Sequence, residues 1–179
     1  MNIIILGPQG SGKSTQAQLL SQELNLPLLD VGSLLRLKAQ EETEAGRKIK
    51  GLVERGELVD DLTTTALLRE ELSGKKYEEG FVMDGAPRTV NQARLLEGIV
   101  KPDKVFYLAV PDEVNTERLI KRGRQDDTPK IIETRLKLYH ENTQPALDYY
   151  KEKVILEKVD GTKTQDEVFQ EILRRIKND

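Results

Sequence analysis

One nine-residue stretch restricts this chain more than any other. GPQGSGKST, residues 7–15, follows directly on the apolar run Ile3-Ile4-Ile5-Leu6 and precedes a helix-like segment. It satisfies G-x-x-x-x-G-K-[ST] through Gly7, Gly12, Lys13 and Ser14. Each residue type has a physical reason. Gly10 and Gly12 let the backbone turn tightly and aim N–H groups at phosphate oxygens. Lys13 reaches the terminal phosphates, and Ser14 is placed to ligate Mg²⁺. The following helix points its positive end at the anion. Such a loop implies a nucleotide but not a reaction: GTPase, ATPase, small-molecule kinase and nucleotide kinase all remain open. No N-K-x-D guanine motif is present.

The rest of the chain alternates short apolar runs with longer amphipathic segments. Residues 2–6, 26–29, 81–83, 105–110 and 154–156 read as strands, continuous rather than alternating, as in a sheet covered on both faces. Residues 13–24, 32–40, 44–55, 61–72, 91–98, 113–122, 130–151 and 165–176 read as helices. This pattern predicts an α/β fold, a five-stranded parallel sheet flanked by helices, of the P-loop NTPase type. Pro145 is expected to kink or divide the segment 130–151. Thr164 and Glu167 have the form of a capping box. Residues 1–179 read as a single domain, with 31–60 as a two-helix insertion.

Composition narrows the chemistry. A net charge of −3 disfavours a nucleic-acid partner. There are no cysteines, which excludes disulfides and cysteine-ligated zinc and fits a reducing compartment. A single histidine, His140, leaves little room for a histidine metal site or a Ser-His-Asp triad. No apolar run approaches a membrane span, so no membrane partner is expected and the chain reads as cytoplasmic.

A second phosphate system begins at the strand 81–83. It ends in Asp84, followed by Gly85-Ala86-Pro87-Arg88-Thr89. Asp84 there serves either as a cap or as a Mg²⁺ ligand, directly or through water. Arg88 adds a guanidinium at the carboxyl edge of the sheet, where ligands of α/β proteins bind.

GPQGSGKSTQAQLL, DVGSLLR, GELV, DGAPRTVNQA, ERLIKRGRQDD, TRLKLYHENTQPALDYY and VDGTK occur in an order that resembles the adenylate kinases and their nucleoside-monophosphate kinase relatives. The resemblance covers nearly the whole chain. It implies transfer of the γ-phosphoryl group of Mg·ATP to AMP, with ATP and AMP as partners, Mg²⁺ as cofactor and no structural zinc. It also implies roles. Residues 10–15, with Ser11 and Thr15 among them, would cradle the ATP phosphates, Arg118 would lie on the adenine, Arg122 on the phosphates, and Lys163 would present its main chain to the base. The segment 31–59 would bind the acceptor, with Val31, Glu57, Leu58 and Val59 near the base and Arg36 on the phosphate. Gly85, Ala86, Pro87 and Arg88 would extend that wall, with Gln92 on the adenine edge. Arg124 and Arg135 would bridge toward the acceptor phosphate. Lys13, Arg88, Arg122, Arg124 and Arg135 would be catalytic, with Ser14 and Asp84 holding the metal. No base is required, because the attacking phosphate oxygen is already an anion.

The chain departs from the family at several places. Val31 stands where a Thr is usual, Ser33 where an Asp helps to order the magnesium waters, and Ala86 where a Phe is usual. Ser14 replaces a common Gly and is expected to take part of the metal-holding role. In KRGRQDD, residues 121–127, only Gly123 separates Arg122 from Arg124, so 122–127 is read as the residue of a truncated lid. Asp126 and Asp127 are expected to position those arginines or to cap the next helix. The family default is a monomer; a neighbouring subunit covering the shortened lid is the alternative. A UMP/CMP or relaxed-specificity kinase is the competing enzyme, against which Thr89 and Gln92 argue and for which Val31 and Ala86 leave room. A nucleotide-binding regulator without catalysis, or a small-metabolite kinase, fits less of the pattern.

Overall fold

The computed structural model describes residues 1–124 and 127–178, so Asp126 and Gln125 of the expected lid remnant lie outside the described residues. Five strands, β1 (Asn2–Leu6), β2 (Leu28–Asp30), β3 (Phe81–Asp84), β4 (Lys104–Ala109) and β5 (Leu156–Asp160), form one sheet. Its helices are α1 (Lys13–Glu23), α2 (Val31–Lys38), α3 (Glu44–Glu54), α4 (Asp61–Leu72), α5 (Val90–Glu97), α6 (Asp112–Arg122), α7 (Pro129–Leu138), α8 (Gln144–Glu152) and α9 (Gln165–Lys177). The strand order is β2-β3-β1-β4-β5, and every pairing is parallel. The order reverses at β1, so the loops leaving β1, β3 and β4 splay apart above it. Such a switch point leaves a crevice at the carboxyl edge of the sheet.

The continuous apolar run of β1 has a direct cause. Ile3 and Ile5 face one side, against Ala17, Leu20, Val168 and Ile172, while Ile4 and Leu6 face the other, against Leu96, Leu147 and Tyr150. None of the three isoleucines is more than 1% exposed. Burying each contributes about 1.5–3 kcal/mol. Both layers must be closed before the P-loop has a rigid base.

The expected strand at 154–156 lies further on, at Leu156–Asp160. Val154 instead sits in a left-handed turn (φ 61°) that reverses the chain into the sheet, and it is 90% exposed. The true strand was hidden by its charges. β5 is an edge strand, and its Glu157 pairs with Lys104 (2.9 Å) and Arg175 (3.4 Å) at the sheet margin. The strand expected at 26–29 also moves toward its C-terminus and ends on Asp30.

The expected division near Pro145 takes a specific form. α7 passes into a π-helical turn, Tyr139–Thr143, before α8 starts at Gln144. Proline lacks an N–H and crowds the carbonyl four residues back, and the wider π turn accommodates both. The bulge turns the Thr143 hydroxyl toward the site, where it donates to the Arg88 carbonyl at 2.9 Å. Pro111 occupies the N-cap of α6. The Thr164–Glu167 capping box is present at α9.

His140, on the π turn, ties this helix to the start of α6. Its Nε2 lies 2.7 Å from Asp112 Oδ2 and its Nδ1 2.9 Å from Gln144 Oε1. The Gln144 contact, then the Asp112 carboxylate, raises the imidazole above its ordinary value of 6.5. A raised histidine stabilises the fold fully below its unfolded value, and that contribution fades as pH rises through the folded value. His140→Gln should therefore cost more stability at about pH 5.5 than at about pH 8.5. Urea unfolding of both proteins at the two pH values checks this; equal costs would contradict it.

Candidate active site

A cavity of about 630 Å³ opens at the switch point. The P-loop forms its floor. Gly10 has φ 88°, and a Cβ there would lie 2.6 Å from the Asn115 carbonyl, where the backbone of α6 passes. Gly12 caps α1 in the left-handed conformation with no side-chain cap, and no acid occupies the first turn. The α1 N-terminus is thus built to meet an external anion. Lys13 donates to the Pro8 carbonyl at 3.1 Å, which holds its ammonium over the loop.

β1 and β3 are adjacent, so the loop meets the end of β3 directly. Ser14 Oγ donates to Asp84 Oδ2 at 2.5 Å. Asp84 is 3% exposed, and its Oδ1 is buried without a hydrogen-bond partner. A hydroxyl beside a carboxylate with one unused oxygen is a hard-oxygen donor set that fits Mg²⁺, with phosphates and water completing the shell. Among the described residues no group of three or more His, Cys, Asp or Glu is arranged to hold a metal.

Arginines form the walls. Arg88 is folded back by its Nε donating to the Gly85 carbonyl (2.8 Å), while its backbone N–H donates to Gln92 Oε1 (2.7 Å). Thr89 caps α5 by accepting from Gln92 N–H at 3.0 Å. Arg118 Nη1 donates to the Gly161 carbonyl at 2.9 Å and so braces the loop that carries Lys163. Gly123, left-handed at φ 65°, ends α6. Asp127 then gathers three arginines. Its side chain is fully buried, and it accepts from Arg122 Nε (2.8 Å) and Nη2 (2.7 Å), from the Arg124 backbone (3.2 Å), and from Arg135 Nη1 (3.5 Å). The Arg122 hydrogen bonds hold the Asp127 carboxyl below its ordinary value. Thr128, not Asp127, caps α7.

The cavity brings together Gly10 to Thr15, Val31, Arg36, Glu57, Val59, Asp84, Gly85, Arg88, Gln92, Arg118, Arg122, Arg124, Arg135 and Lys163. Leu58, Ala86 and Pro87 do not line it; Ala86 is fully buried in the core beneath the wall. Sequence reasoning missed Asp30, which lines the cavity and stands in register with Asp84 at the end of β2. The available signal was the one used for Asp84, an acid closing an apolar strand.

Charge dominates the cavity. Among the described residues, eight cationic side chains line it against three carboxylates, Asp30, Glu57 and Asp84. Burial lowers the Lys13 ammonium below its ordinary value, against the pull of Asp84, and Arg88 and Arg122 add to the lowering. Burial likewise disfavours the Arg88 cation, again opposed by Asp84, with Arg135 and Arg36 adding to the effect. Such a site attracts phosphates strongly. Removing the carboxylate that gathers the arginines should loosen it: Asp127→Asn is expected to cost about 2 kcal/mol of stability, read by urea unfolding at neutral pH. An unchanged midpoint would mean that the carboxylate is not a structural anchor.

Comparison with known proteins agrees with this geometry. The family model described as adenylate kinase matches residues 5–155. An adenylate kinase of Chelativorans sp. (strain BNC1) is 38% identical, covering 96% of each chain. One of Nocardia farcinica is 39% identical over 98% of this chain and 99% of its own. Adenylate kinase 1 of Nostoc sp. (strain PCC 7120) is 38% identical over 95% of each chain. The chain, a five-stranded parallel α/β fold around a P-loop, belongs to the adenylate kinase family.

Proposed function

We infer that this protein transfers the γ-phosphoryl group of ATP to AMP, giving two ADP in a reversible reaction. The observation that carries the reading is the pairing, in one cavity, of a P-loop with a second set of arginines across the switch point. Two anions can enter such a site from opposite sides and meet end to end.

On this reading Gly10 to Thr15 cradle the donor phosphates and Lys13 bridges their termini. Arg118 and the backbone at Lys163 bound the donor base, and Arg122 reaches its phosphates. Arg36 and Arg88 hold the acceptor phosphate, and Arg124 and Arg135 span the two. Val31, Glu57, Val59 and Gly85 shape the acceptor pocket, with residues 31–60 as its mobile part. Gln92 has its carbonyl committed to Arg88, so its amide NH₂ is the group left to meet a base. Ser14 and Asp84 would hold Mg²⁺, which would neutralise charge on the donor phosphates. The protein's part is alignment and electrostatic stabilisation. The acceptor oxygen is an anion at neutral pH, so no side chain has to remove a proton.

The connection from α6 to α7 spans only residues 123–128. We read it as a truncated lid, which leaves the transferred phosphoryl group more open to water than a full lid would. The protein would work in the cytoplasm, a compartment that suits a chain without cysteine. Among the described residues no helix is long and apolar enough to cross a membrane.

Incubation with Mg·ATP and AMP, dAMP, CMP, UMP, GMP or no acceptor tests both points. The expected result is fast ADP formation with AMP, little product from CMP or UMP, and slow but measurable ATP hydrolysis without acceptor. Preferred turnover of a pyrimidine would overturn the acceptor assignment. Undetectable hydrolysis without acceptor would overturn the open-site reading.

A further inference from the structure

Arg36 differs from the other arginines of the cavity in how it is held. Arg122 grips a carboxylate directly, with its Nη2 2.7 Å from Asp127 Oδ1. Arg36 Nη2 instead donates to the Ser33 hydroxyl at 2.7 Å, and that hydroxyl donates in turn to Asp30 Oδ2 at 2.5 Å. The direct Arg36–Asp30 separation is longer, 3.6 Å. Asp30 is itself immobilised, because its Oδ1 accepts from the Ser33 backbone N–H at 2.9 Å and caps α2. The guanidinium folds back over the first turn of the helix, and Gly32 leaves it room: a Cβ there would stand 3.2 Å from both Arg36 Nη1 and Asp30 Oδ1.

The arrangement has a physical logic. Arg36 is half-exposed, and a long, mobile side chain loses much rotamer freedom when it closes on an anion. A hydrogen bond that fixes it beforehand reduces that loss. A direct carboxylate contact would fix it too, but would compete with phosphate for the same N–H groups. A neutral hydroxyl anchored on a carboxylate orients the guanidinium while leaving more of its charge for the ligand. Arg36 lines the cavity with Arg88 and Gly85, so the orientation faces the acceptor side.

We propose that Ser33, anchored by Asp30, is a positioning residue that pre-orients Arg36 for the phosphate of the nucleoside monophosphate acceptor. The proposal rests on the reading of Arg36 as an acceptor-phosphate ligand. It gives residue 33 a different task from the magnesium-water role that an aspartate at this position has in the family.

Steady-state kinetics of Ser33→Ala, Ser33→Thr, Arg36→Ala and the double variant Ser33→Ala/Arg36→Ala test it. The N-cap carboxylate is untouched in all four. Ser33→Ala should raise KM for AMP about fivefold, with KM for ATP and the thermal midpoint unchanged. Ser33→Thr, which restores the hydroxyl, should recover the parent KM. In the Arg36→Ala background, adding Ser33→Ala should change nothing further, because the hydroxyl acts through that arginine. If Arg36→Ala leaves KM for AMP unchanged, the acceptor reading of Arg36 fails. If Arg36→Ala raises it but Ser33→Ala does not, or if the two effects multiply, the positioning role is overturned while that reading stands.

Discussion

Mutual repulsion among cations is the constraint on which the rest of this structure depends. A site that joins a nucleoside triphosphate to a nucleoside monophosphate must collect positive charge where phosphate will be, and it must fold before the phosphate arrives. Here, among the described residues, eight cationic side chains share one cavity with three carboxylates, in a chain whose net charge is −3. The cost falls most clearly on Lys13 and Arg88, whose charged forms burial disfavours. Two acids offset it without filling the cavity. Asp84 lies at the end of β3 and pulls on both cations. Asp127 lies beside the cavity, buried, and takes a bidentate hold on Arg122. Buried ion pairs rarely add net stability, but breaking one leaves an uncompensated charge. Their value here is the geometry they impose on arginines that would otherwise separate.

The fold supplies the positions cheaply. A parallel sheet whose order reverses at β1 puts the P-loop, the end of β3 and the end of β2 side by side. Each strand then needs only one residue past its apolar run to reach the site: Asp84 from β3 and Asp30 from β2. The more distant arginines come from α6 and α7, and the few residues between these helices leave Arg122 and Arg135 on one carboxylate. The left-handed conformation of Gly123 stops α6 immediately after Arg122. The shortness of this connection and the convergence of the arginines are thus one feature.

What the sequence disclosed divides along a physical line. Contiguous features were legible: the P-loop, whose glycines and lysine act within one turn, and the fully buried strands, whose apolar runs have no alternative explanation. The capping box at Thr164 was legible for the same reason. Features that depend on distant partners were not. β5 was misplaced because an edge strand satisfies its charges laterally, with Lys104 and Arg175, and so loses its apolar signature. Thr143 reaches the Arg88 carbonyl only because a π turn rotates it there. Ser33 read as the loss of a carboxylate, whereas its hydroxyl has Asp30 and Arg36 as partners. Ala86 and Pro87 read as site wall from their place in the motif, but the cavity does not include them.

If the cavity stores uncompensated positive charge for its ligands, relieving that charge should stabilise the empty protein. Lys13 is the sharpest case, because its lowered value means that its charged form opposes folding at every pH below that value. The Lys13→Met variant keeps most of the unbranched side chain and removes the charge. The thermal or urea midpoint of the ligand-free variant, measured beside the parent protein, tests the account directly. The expected result is a gain of about 1 kcal/mol in the absence of nucleotide, with ATP-dependent stabilisation and turnover lost. A ligand-free variant less stable than the parent would contradict it.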